Sequence, residues 1–207
     1  MPAFTISEIV AASGGITQAQ PDLVCADVVT DSRQDCSGKL FIPIRGEQFD
    51  GHAFLEQIAA SGALATLAND DAVISESILQ RLIVIRVPDT TTAYQRLANF
   101  HRRRFPNLKI AAVTGSSGKT STKEMLRAIF SQAFGPDAVL ATEGNTNNQI
   151  GVPQNLMRLN SGHRAAVIEM GTNHHGEIRP LSLCAEPHTA VINFIGSCHL
   201  EHLGSLE

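Results

Sequence analysis

Residues 109–134 read KIAAVTGSSGKTSTKEMLRAIFSQAF, and this stretch decides the fold of the chain. Its first part, residues 110–113, is short, apolar and rich in small and β-branched residues, which is typical of a buried strand. The hexapeptide GSSGKT follows at residues 115–120, and a helical pattern of apolar residues begins after it. The sequence therefore predicts a strand, a phosphate-binding loop and a helix in direct succession.

The residue types of the hexapeptide suit the binding of a polyphosphate. Gly115 and Gly118 let the backbone turn its N–H groups inward, and the start of the helix presents further free N–H groups. Lys119 offers a positive charge to the terminal phosphates, and the Thr120 hydroxyl is a suitable Mg²⁺ ligand. The longer pattern G-x-x-x-x-G-K-[ST] fails because Val113 occupies its first glycine position. A Gly/Ser turn before a surface helix therefore remains an alternative for the hexapeptide alone.

Length, composition and charge narrow the class of protein. At 207 residues the chain fits one large domain or two small ones. Hydrophobic residues make up 43% and the mean hydropathy is +0.01, as in a globular protein with a true core. The net charge of −4 argues against a nucleic-acid partner, and no segment resembles a membrane span or an export signal. We therefore expect a cytoplasmic protein without membrane insertion.

The first part of the chain, residues 1–87, reads as a small α/β unit. Ser7 is the predicted cap of a first short helix. Strands are predicted at residues 24–30, 39–44, 63–67 and 82–87. Between them, the segment 52–61 has helical periodicity and places Phe54, Ile58 and Ala59 on one face.

Two polar clusters in this unit follow predicted strands, where α/β folds bind ligands. One is Thr30-Asp31-Ser32-Arg33 and the other spans residues 45–52 (RGEQFDGH). Ser32 and Arg33 suit a diphosphate or a carboxylate. From these residues alone, loop capping and a surface ion pair are the favoured alternative.

The second part of the chain alternates helices and strands, which indicates a parallel sheet. About three of its strands are predicted, at residues 110–113, 164–170 and 189–195. A helix from Asp89 or Thr90 to about residue 104 ends in the basic run 101–104, predicted as a solvated helix cap. The apolar residues of the helix after the phosphate loop are predicted to face the core, namely Met125, Leu126, Ile129, Phe130 and Ala133.

Three further features of this part allow more than one interpretation. The Asn-rich segment 144–153 can bind a sugar or peptide, or simply form turns. Glu169 ends a predicted strand, where related folds hold the Mg²⁺ of a nucleotide. His199 and His202 are spaced like a metal-binding pair, but taken alone they are better explained as loop residues.

Four segments, in this order and spacing, together resemble the Mur ligases: residues 114–125 (TGSSGKTSTKEM), 144–159 (GNTNNQIGVPQNLMRL), 166–178 (AVIEMGTNHHGEI) and 199–207 (HLEHLGSLE). Residues 30–63 also resemble the uridine-nucleotide-binding domain found in part of that family. The resemblance covers essentially the whole chain. It implies an α/β fold, with a small N-terminal substrate domain followed by an incomplete P-loop ATPase domain with a parallel sheet.

Within the family, the segments are most similar to the ligase that adds D-alanyl-D-alanine to UDP-N-acetylmuramoyl-tripeptide in peptidoglycan precursor synthesis. The resemblance implies ATP and Mg²⁺, phosphorylation of the muramoyl-peptide carboxylate, and attack of the amine on the acyl phosphate. The implied catalytic residues are Lys119, Glu169 and His199. Thr120 and Glu169 are implied ligands of a first Mg²⁺, and His199 of a second. The implied ATP-binding residues are Gly115, Ser116, Ser117, Gly118, Lys119, Thr120 and Ser121. The implied substrate-binding residues are Ser32, Arg33, Asn145, Asn147, Asn148 and Asn173.

Family members are considerably longer than this chain. We therefore expect residues 1–87 to be the UDP-muramoyl-peptide-binding domain and residues 88–207 to be a truncated central ATP-binding domain, with the C-terminal domain absent. The family also uses a carbamylated lysine beyond the H-L-E segment, and this sequence has no lysine after Lys123. We expect weak ligand binding without turnover, and a monomer for the full-length form.

Two alternatives remain open at this point. One is a ligase of the same family that adds a single amino acid to UDP-muramoyl-dipeptide. The other is a non-catalytic nucleotide-binding module that acts as a partner or regulator.

Overall fold

The computed structural model describes residues 2–197, so Met1 and residues 198–207 lie outside the described part. The chain divides into two compact units, Met1–Leu97 and Ala98–Glu207. Both are mixed α/β structures with a parallel sheet, as the sequence predicted.

The first unit contains a parallel sheet and a small antiparallel pair. Its elements are β1 (Phe4–Thr5), α1 (Ile6–Ser13), β2 (Val24–Cys25), β3 (Val28–Val29), β4 (Leu40–Phe41), a 3₁₀ turn (Gly51–Phe54), α2 (Leu55–Ala60), β5 (Ala65–Asn69), α3 (Glu76–Leu79) and β6 (Ile83–Val87). Strands β3, β4, β5 and β6 pair in parallel in that order, and β1 pairs with β2 antiparallel. The long helix α4 (Thr90–Arg103) begins in this unit.

Two details of the first unit differ from the prediction. Helix α1 is capped by Thr5 and not by Ser7, because Glu8 lies three residues after Thr5 and completes a capping box. Thr5 Oγ1 accepts the Glu8 N–H at 3.1 Å, and the Glu8 carboxylate accepts the Thr5 N–H at 2.9 Å. The predicted strand 24–30 is two short strands in different sheets, β2 and β3.

Apolar side chains from the parallel sheet and its helices form the core of the first unit. The predicted inward face of residues 52–61 is confirmed, since Ile58 and Ala59 are buried and Phe54 packs against them. Gly62 follows the helix at a φ of 79°, a left-handed conformation that suits glycine at a helix end. The buried cluster consists of Val29, Cys36, Phe41, Leu55, Ile58, Ala59, Ala63, Ile78 and Leu82.

The second unit contains a parallel sheet of four described strands. After the end of α4, its elements are β7 (Lys109–Thr114), α5 (Lys119–Phe134), a 3₁₀ turn (Pro136–Ala138), β8 (Val139–Ala141), α6 (Gly151–Met157), β9 (Ala165–Glu169), α7 (Ile178–Ala185) and β10 (Thr189–Ile192). The strand order is β10-β7-β9-β8. Strand β8 is three residues long and was not predicted, because so short a strand has too few residues to show a periodicity.

The predicted core face of α5 is wrong for three of its five residues. Met125 and Ile129 are 58% and 61% exposed, and Ala133 is also exposed. Leu126 and Phe130 are half-buried. The face of α5 that packs on β8 and β9 instead carries Lys123, which is 4% exposed. A hydrophobic pattern indicates that a helix is amphipathic. It does not predict which face packs on the sheet when that face carries a polar residue, because the partner of that residue comes from elsewhere in the fold.

The basic run 101–104 is not a solvated helix cap, because its first two side chains are buried. His101 and Arg102 are 4% and 8% exposed. Arg102 donates to the backbone carbonyl oxygens of Ala185 and Glu186 at 3.1 Å each. These carbonyls lie at the C-terminal end of α7, where a helix presents unpaired acceptors and a negative dipole end.

Asn99 completes this contact within the second unit. Its Nδ2 donates to the carbonyl oxygens of Leu183 and Cys184 at 3.0 and 3.1 Å. Asn99 and Arg102 therefore satisfy four successive carbonyls at the end of α7. The prediction placed the basic run at the C-terminal end of α4 itself. In the structure, Arg102 instead binds the carbonyl oxygens at the C-terminal end of α7.

This arrangement predicts different costs for two neighbouring arginines. Replacing Arg102 by methionine leaves buried carbonyls unpaired and lowers the free energy of unfolding by about 1–3 kcal/mol. Arg103 has a side chain that is 64% exposed and pairs with Glu186 on the surface. Arg103→Met therefore lowers the free energy of unfolding by less than about 1 kcal/mol. Urea unfolding followed by circular dichroism measures both, and equal losses would contradict the assignment.

Candidate functional site

The loop between β7 and α5 has the backbone shape of a phosphate-binding loop. Gly115 and Gly118 adopt φ angles of 132° and 79°, which favour glycine. Gly118 is the N-cap of α5, and no side chain caps this helix start. The first N–H groups of α5 and its positive dipole end are therefore directed at the space above the loop.

Lys119, the first residue of α5, folds back over this loop. Its Nζ donates to the carbonyl oxygen of Gly115 at 2.7 Å. The ammonium group is thus held at the mouth of the loop, where a bound polyphosphate would meet it.

A buried carboxylate lies beside the loop and joins three of the predicted site residues. Glu169, at the C-terminal end of β9, is 2% exposed. Thr120 Oγ1 donates to its Oε2 at 3.1 Å, and Asn147 Nδ2 donates to its Oε1 at 2.9 Å. Asn147 Nδ2 also lies 3.1 Å from Asn145 Oδ1. The structure therefore brings Thr120, Glu169, Asn147 and Asn145 together in one hydrogen-bonded group.

Two residues that were not predicted from the sequence support this group. The Thr142 hydroxyl accepts the backbone N–H of Glu169 at 2.9 Å, and Lys123 Nζ donates to the Thr142 carbonyl oxygen at 3.0 Å. Both side chains are nearly fully buried. Lys123 lies three residues after Thr120 and therefore on the same side of α5. This spacing is the one feature of the sequence that could have placed Lys123 near the site. Thr142 follows β8, the strand that the sequence did not reveal.

Other predicted residues have local structural partners. Asn148 Oδ1 accepts the N–H groups of Ile150 and Gly151 at 3.1 and 2.9 Å, so it is held by the turn that leads into α6. The Asn173 N–H donates to Glu177 Oε2 at 2.7 Å. Burial would raise the pKa of Glu177, but hydrogen bonds from the backbone of the 173–174 turn outweigh it and lower that pKa.

The other predicted residues are the serines of the loop and the ligand of the second Mg²⁺. The Ser116 hydroxyl is hydrogen-bonded to Gly196, and Ser117 and Ser121 are exposed. His199, the predicted ligand of a second Mg²⁺, lies outside the described residues.

In the first unit, Ser32 and Arg33 line a cavity of about 420 Å³. The Arg33 side chain is 86% exposed and forms a two-point ion pair with Asp31, at 2.9 and 2.7 Å. Hydrogen bonds from Arg33 lower the pKa of Asp31 to about 2. The predicted surface ion pair is therefore present, and it borders a cavity. The other lining residues are Thr30, Asp31, Phe41, Phe49, Gly51 and Phe54.

Aromatic rings form the apolar side of this cavity. The Phe49 and Phe54 rings stack with centroids 5.6 Å apart, and Phe49 is 56% exposed. A charged group therefore borders an aromatic surface, the combination that suits a ligand with both an anionic and a flat apolar part.

The second polar cluster, residues 45–52, has internal partners. Arg45 pairs with Asp50 and Asp71 at 2.9 Å each. His52 Nδ1 lies 2.5 Å from Asp50 Oδ1, and its Nε2 accepts the Asn69 N–H at 3.1 Å. These contacts fix the loop that carries Phe49.

Comparisons with known proteins agree with this geometry. The family pattern described as "Mur ligase middle domain" matches residues 113–207, and the one described as "Mur ligase family, catalytic domain" matches residues 26–105. A UDP-N-acetylmuramoyl-tripeptide–D-alanyl-D-alanine ligase of Haemophilus influenzae is 43% identical over 86% of this chain and 38% of its own length. The ligase of the same name from Escherichia coli is 41% identical over 100% of this chain and 43% of its own length.

Solved structures give the same result. A crystal structure of MurF from Acinetobacter baumannii superposes with a TM-score of 0.88 and 36% identity, covering 99% of this chain and 44% of that one. MurF of Thermotoga maritima in complex with ADP gives a TM-score of 0.69 and 31% identity, covering 85% of this chain and 39% of that one. The chain spans about two fifths of the length of the curated relatives that it matches. The resemblance inferred from the motifs is confirmed, and this chain belongs to the Mur ligase family.

Proposed function

We propose that this chain carries nucleotide- and substrate-binding parts of an ATP-dependent, ADP-forming ligase. The proposed reaction joins D-alanyl-D-alanine to UDP-N-acetylmuramoyl-tripeptide in peptidoglycan precursor synthesis. The observation that carries the proposal is the buried Glu169 carboxylate, held by Thr120 beside a phosphate loop of the correct shape. The choice of substrates is supported by the relatives of that name, which are up to 43% identical to this chain.

The proposed chemistry begins with transfer of the γ-phosphoryl group of ATP to the C-terminal carboxylate of the muramoyl peptide. The amine of D-alanyl-D-alanine then attacks the acyl phosphate, an amide bond forms, and phosphate leaves. Lys119 and the N–H groups of the loop stabilise the negative charge on the phosphoryl oxygens during transfer. No covalent bond to the protein is needed in this reaction. The loop positions the phosphoryl group and stabilises its negative charge.

The residues beside the loop fit a Mg²⁺ ion. A hydroxyl and a carboxylate oxygen 3.1 Å apart, from Thr120 and Glu169, are oxygen donors of the kind that Mg²⁺ takes together with waters and phosphate oxygens. When bound, the ion would supply positive charge that reduces the repulsion between the phosphate groups and the incoming carboxylate. Asn147, which donates to the other Glu169 oxygen, would keep the carboxylate in place. His199 remains the proposed ligand of a second Mg²⁺.

The cavity at Ser32 and Arg33 is the proposed site for the UDP part of the muramoyl substrate. Its guanidinium group suits a diphosphate, and its phenylalanine rings suit a flat base. Residues 1–87 and 88–207 remain the proposed substrate and ATP-binding domains. Asn145, Asn147, Asn148 and Asn173 remain proposed contacts to the muramoyl part.

The proposed setting is the cytoplasm, with a monomer for the full-length form and no nucleic-acid partner. Among residues 2–197, no helix has the length and apolar character that crossing a bilayer requires. The absence of turnover by the 207-residue chain alone also remains a prediction.

The phosphate loop is tested by comparing two lysines. We expect Lys119→Met to weaken binding of Mg-ATP by about tenfold or more, because a charged contact to phosphate is lost. Lys109→Met is the matched control, since Lys109 is exposed at the far end of β7. Isothermal titration calorimetry gives both dissociation constants. Equal affinities in the two variants would contradict the assigned role of the loop.

The metal site is tested by titrating Mg²⁺ at a fixed concentration of ATP. Glu169→Gln removes the negative charge and should raise the Mg²⁺ midpoint for nucleotide binding by about tenfold. Glu76→Gln, at an exposed position in α3, should leave the midpoint unchanged. A Glu169→Gln midpoint equal to that of the unaltered chain would remove Glu169 from the proposed metal site.

The substrate cavity is tested with UDP-N-acetylmuramoyl-tripeptide as the titrant. Arg33→Ala should weaken its binding by about tenfold or more, as for loss of a charge-assisted hydrogen bond. Arg127→Ala, an exposed arginine of α5, should not change it. Tighter binding of UDP-muramoyl-dipeptide than of the tripeptide would instead favour the ligase that adds a single amino acid.

A further inference from the structure

The segment that follows β10, residues 193–196, lies directly against the phosphate loop. The Asn193 N–H donates to the carbonyl oxygen of Thr114 at 2.9 Å. The Ser116 N–H donates to the carbonyl oxygen of Phe194 at 2.7 Å, and Ser116 Oγ lies 2.9 Å from the Gly196 carbonyl oxygen and 3.0 Å from its nitrogen. The loop is thus attached to a neighbouring strand of the sheet as well as to β7 and α5.

The Asn193 side chain occupies the space beside both glycines of the loop. A Cβ atom built on Gly115 would lie 3.0 Å from Asn193 Cβ, and one built on Gly118 would lie 3.1 Å from Asn193 Nδ2. Both distances are shorter than ordinary contacts between such atoms. The two glycines are therefore needed not only for their positive φ angles but also because Asn193 packs against them.

The same side chain also reaches the first turn of α5. Asn193 Nδ2 donates to Thr122 Oγ1 at 2.8 Å. One residue therefore contacts the strand end before the loop, both glycines within it and the helix after it.

We propose that Asn193 is a positioning residue that holds the phosphate loop in its binding shape, an inference that rests on the proposed nucleotide-binding function. The chemistry of the side chain fits this role. Its amide donates the hydrogen bond that Thr122 accepts, and it is neutral, so it adds no repulsion toward a bound polyphosphate. A carboxylate of the same size would lose the donor and add a negative charge.

The proposal predicts that Asn193 and Thr122 act as one unit on nucleotide binding. Asn193→Ala should raise the Kd of Mg-ATP by about tenfold, and Thr122→Val should raise it by about threefold to tenfold. The double variant should bind Mg-ATP about as well as Asn193→Ala alone, because the second change removes a contact that is already lost. Asn107→Ala, at an exposed turn without a described side-chain hydrogen bond, is the matched control and should bind as the unaltered chain does.

Calorimetric titration of the 207-residue chain with Mg-ATP gives these constants, and hydrogen–deuterium exchange of the nucleotide-free chain provides a second measure. The amides of residues 115–118 should exchange faster in Asn193→Ala and Thr122→Val than in the control. UDP-muramoyl-tripeptide affinity should be unchanged in every variant, which separates loop positioning from general loss of structure. If Asn193→Ala does not fold, Thr122→Val tests the same hydrogen bond from the helix side.

Two outcomes in the Asn193 and Thr122 variants would contradict the proposed role of Asn193. Unchanged loop exchange and an unchanged Mg-ATP affinity in Asn193→Ala would overturn the proposal, as would additive effects in the double variant. If the unaltered chain itself does not bind Mg-ATP, the proposed function fails and with it the role in nucleotide binding. The exchange experiment would then still decide whether Asn193 holds the loop.

Discussion

The second unit depends on one buried negative charge, the carboxylate of Glu169. Removing a carboxylate from water is costly unless it is hydrogen-bonded or paired with a positive charge. Thr120 and Asn147 each donate to one of its oxygens, and Thr142 accepts its backbone N–H. These partners come from α5, the Asn-rich segment and the end of β8. The hydrogen bonds of Glu169 therefore connect α5, the Asn-rich segment and the end of β8 around the phosphate loop.

The sheet order explains why these groups meet. Strand β7 pairs in parallel with β9, with Val113 opposite Glu169, and with β10 on its other side. The carboxyl ends of the three strands are thus side by side, which is where open α/β sheets bind ligands. The loop after β7 has Glu169 on one flank and Asn193 on the other. One flank offers oxygen ligands for a cation, and the other supports the backbone that would contact an anion.

In the first unit, too, the polar residues lie at the carboxyl ends of parallel strands. Its cavity at Ser32 and Arg33 follows β3, and the loop that carries Phe49 follows β4. The internal ion pairs of Arg45 and the contacts of His52 hold that loop, so Arg45, Asp50 and His52 have structural partners in the described chain. Arg33 differs from them, because its guanidinium is exposed at the cavity and its only described ion pair is with Asp31.

The sequence by itself determined the fold class, the family and most of the residues at the phosphate loop. These features are local: a strand, two glycines, a lysine and a helix follow one another within 26 residues, and their spacing carries the signal. Capping partners such as Thr5 and Glu8 are equally local, so the sequence contains the signal for the correct helix start, although Ser7 is also a typical capping residue. The short strand β8 lacked a pattern of its own and was missed.

Only the tertiary structure decided which polar residues are buried and what they contact. Lys123 and Arg102 look like surface residues in the sequence, and Asn193 lies in a predicted strand, but each has a partner 19 or more residues away. The amphipathic pattern of α5 could not reveal that its lysine faces the sheet while Met125 and Ile129 face outward. The physical reason is that burial of a polar group depends on a partner that the fold supplies, whereas periodicity and turn chemistry depend on near neighbours in the chain.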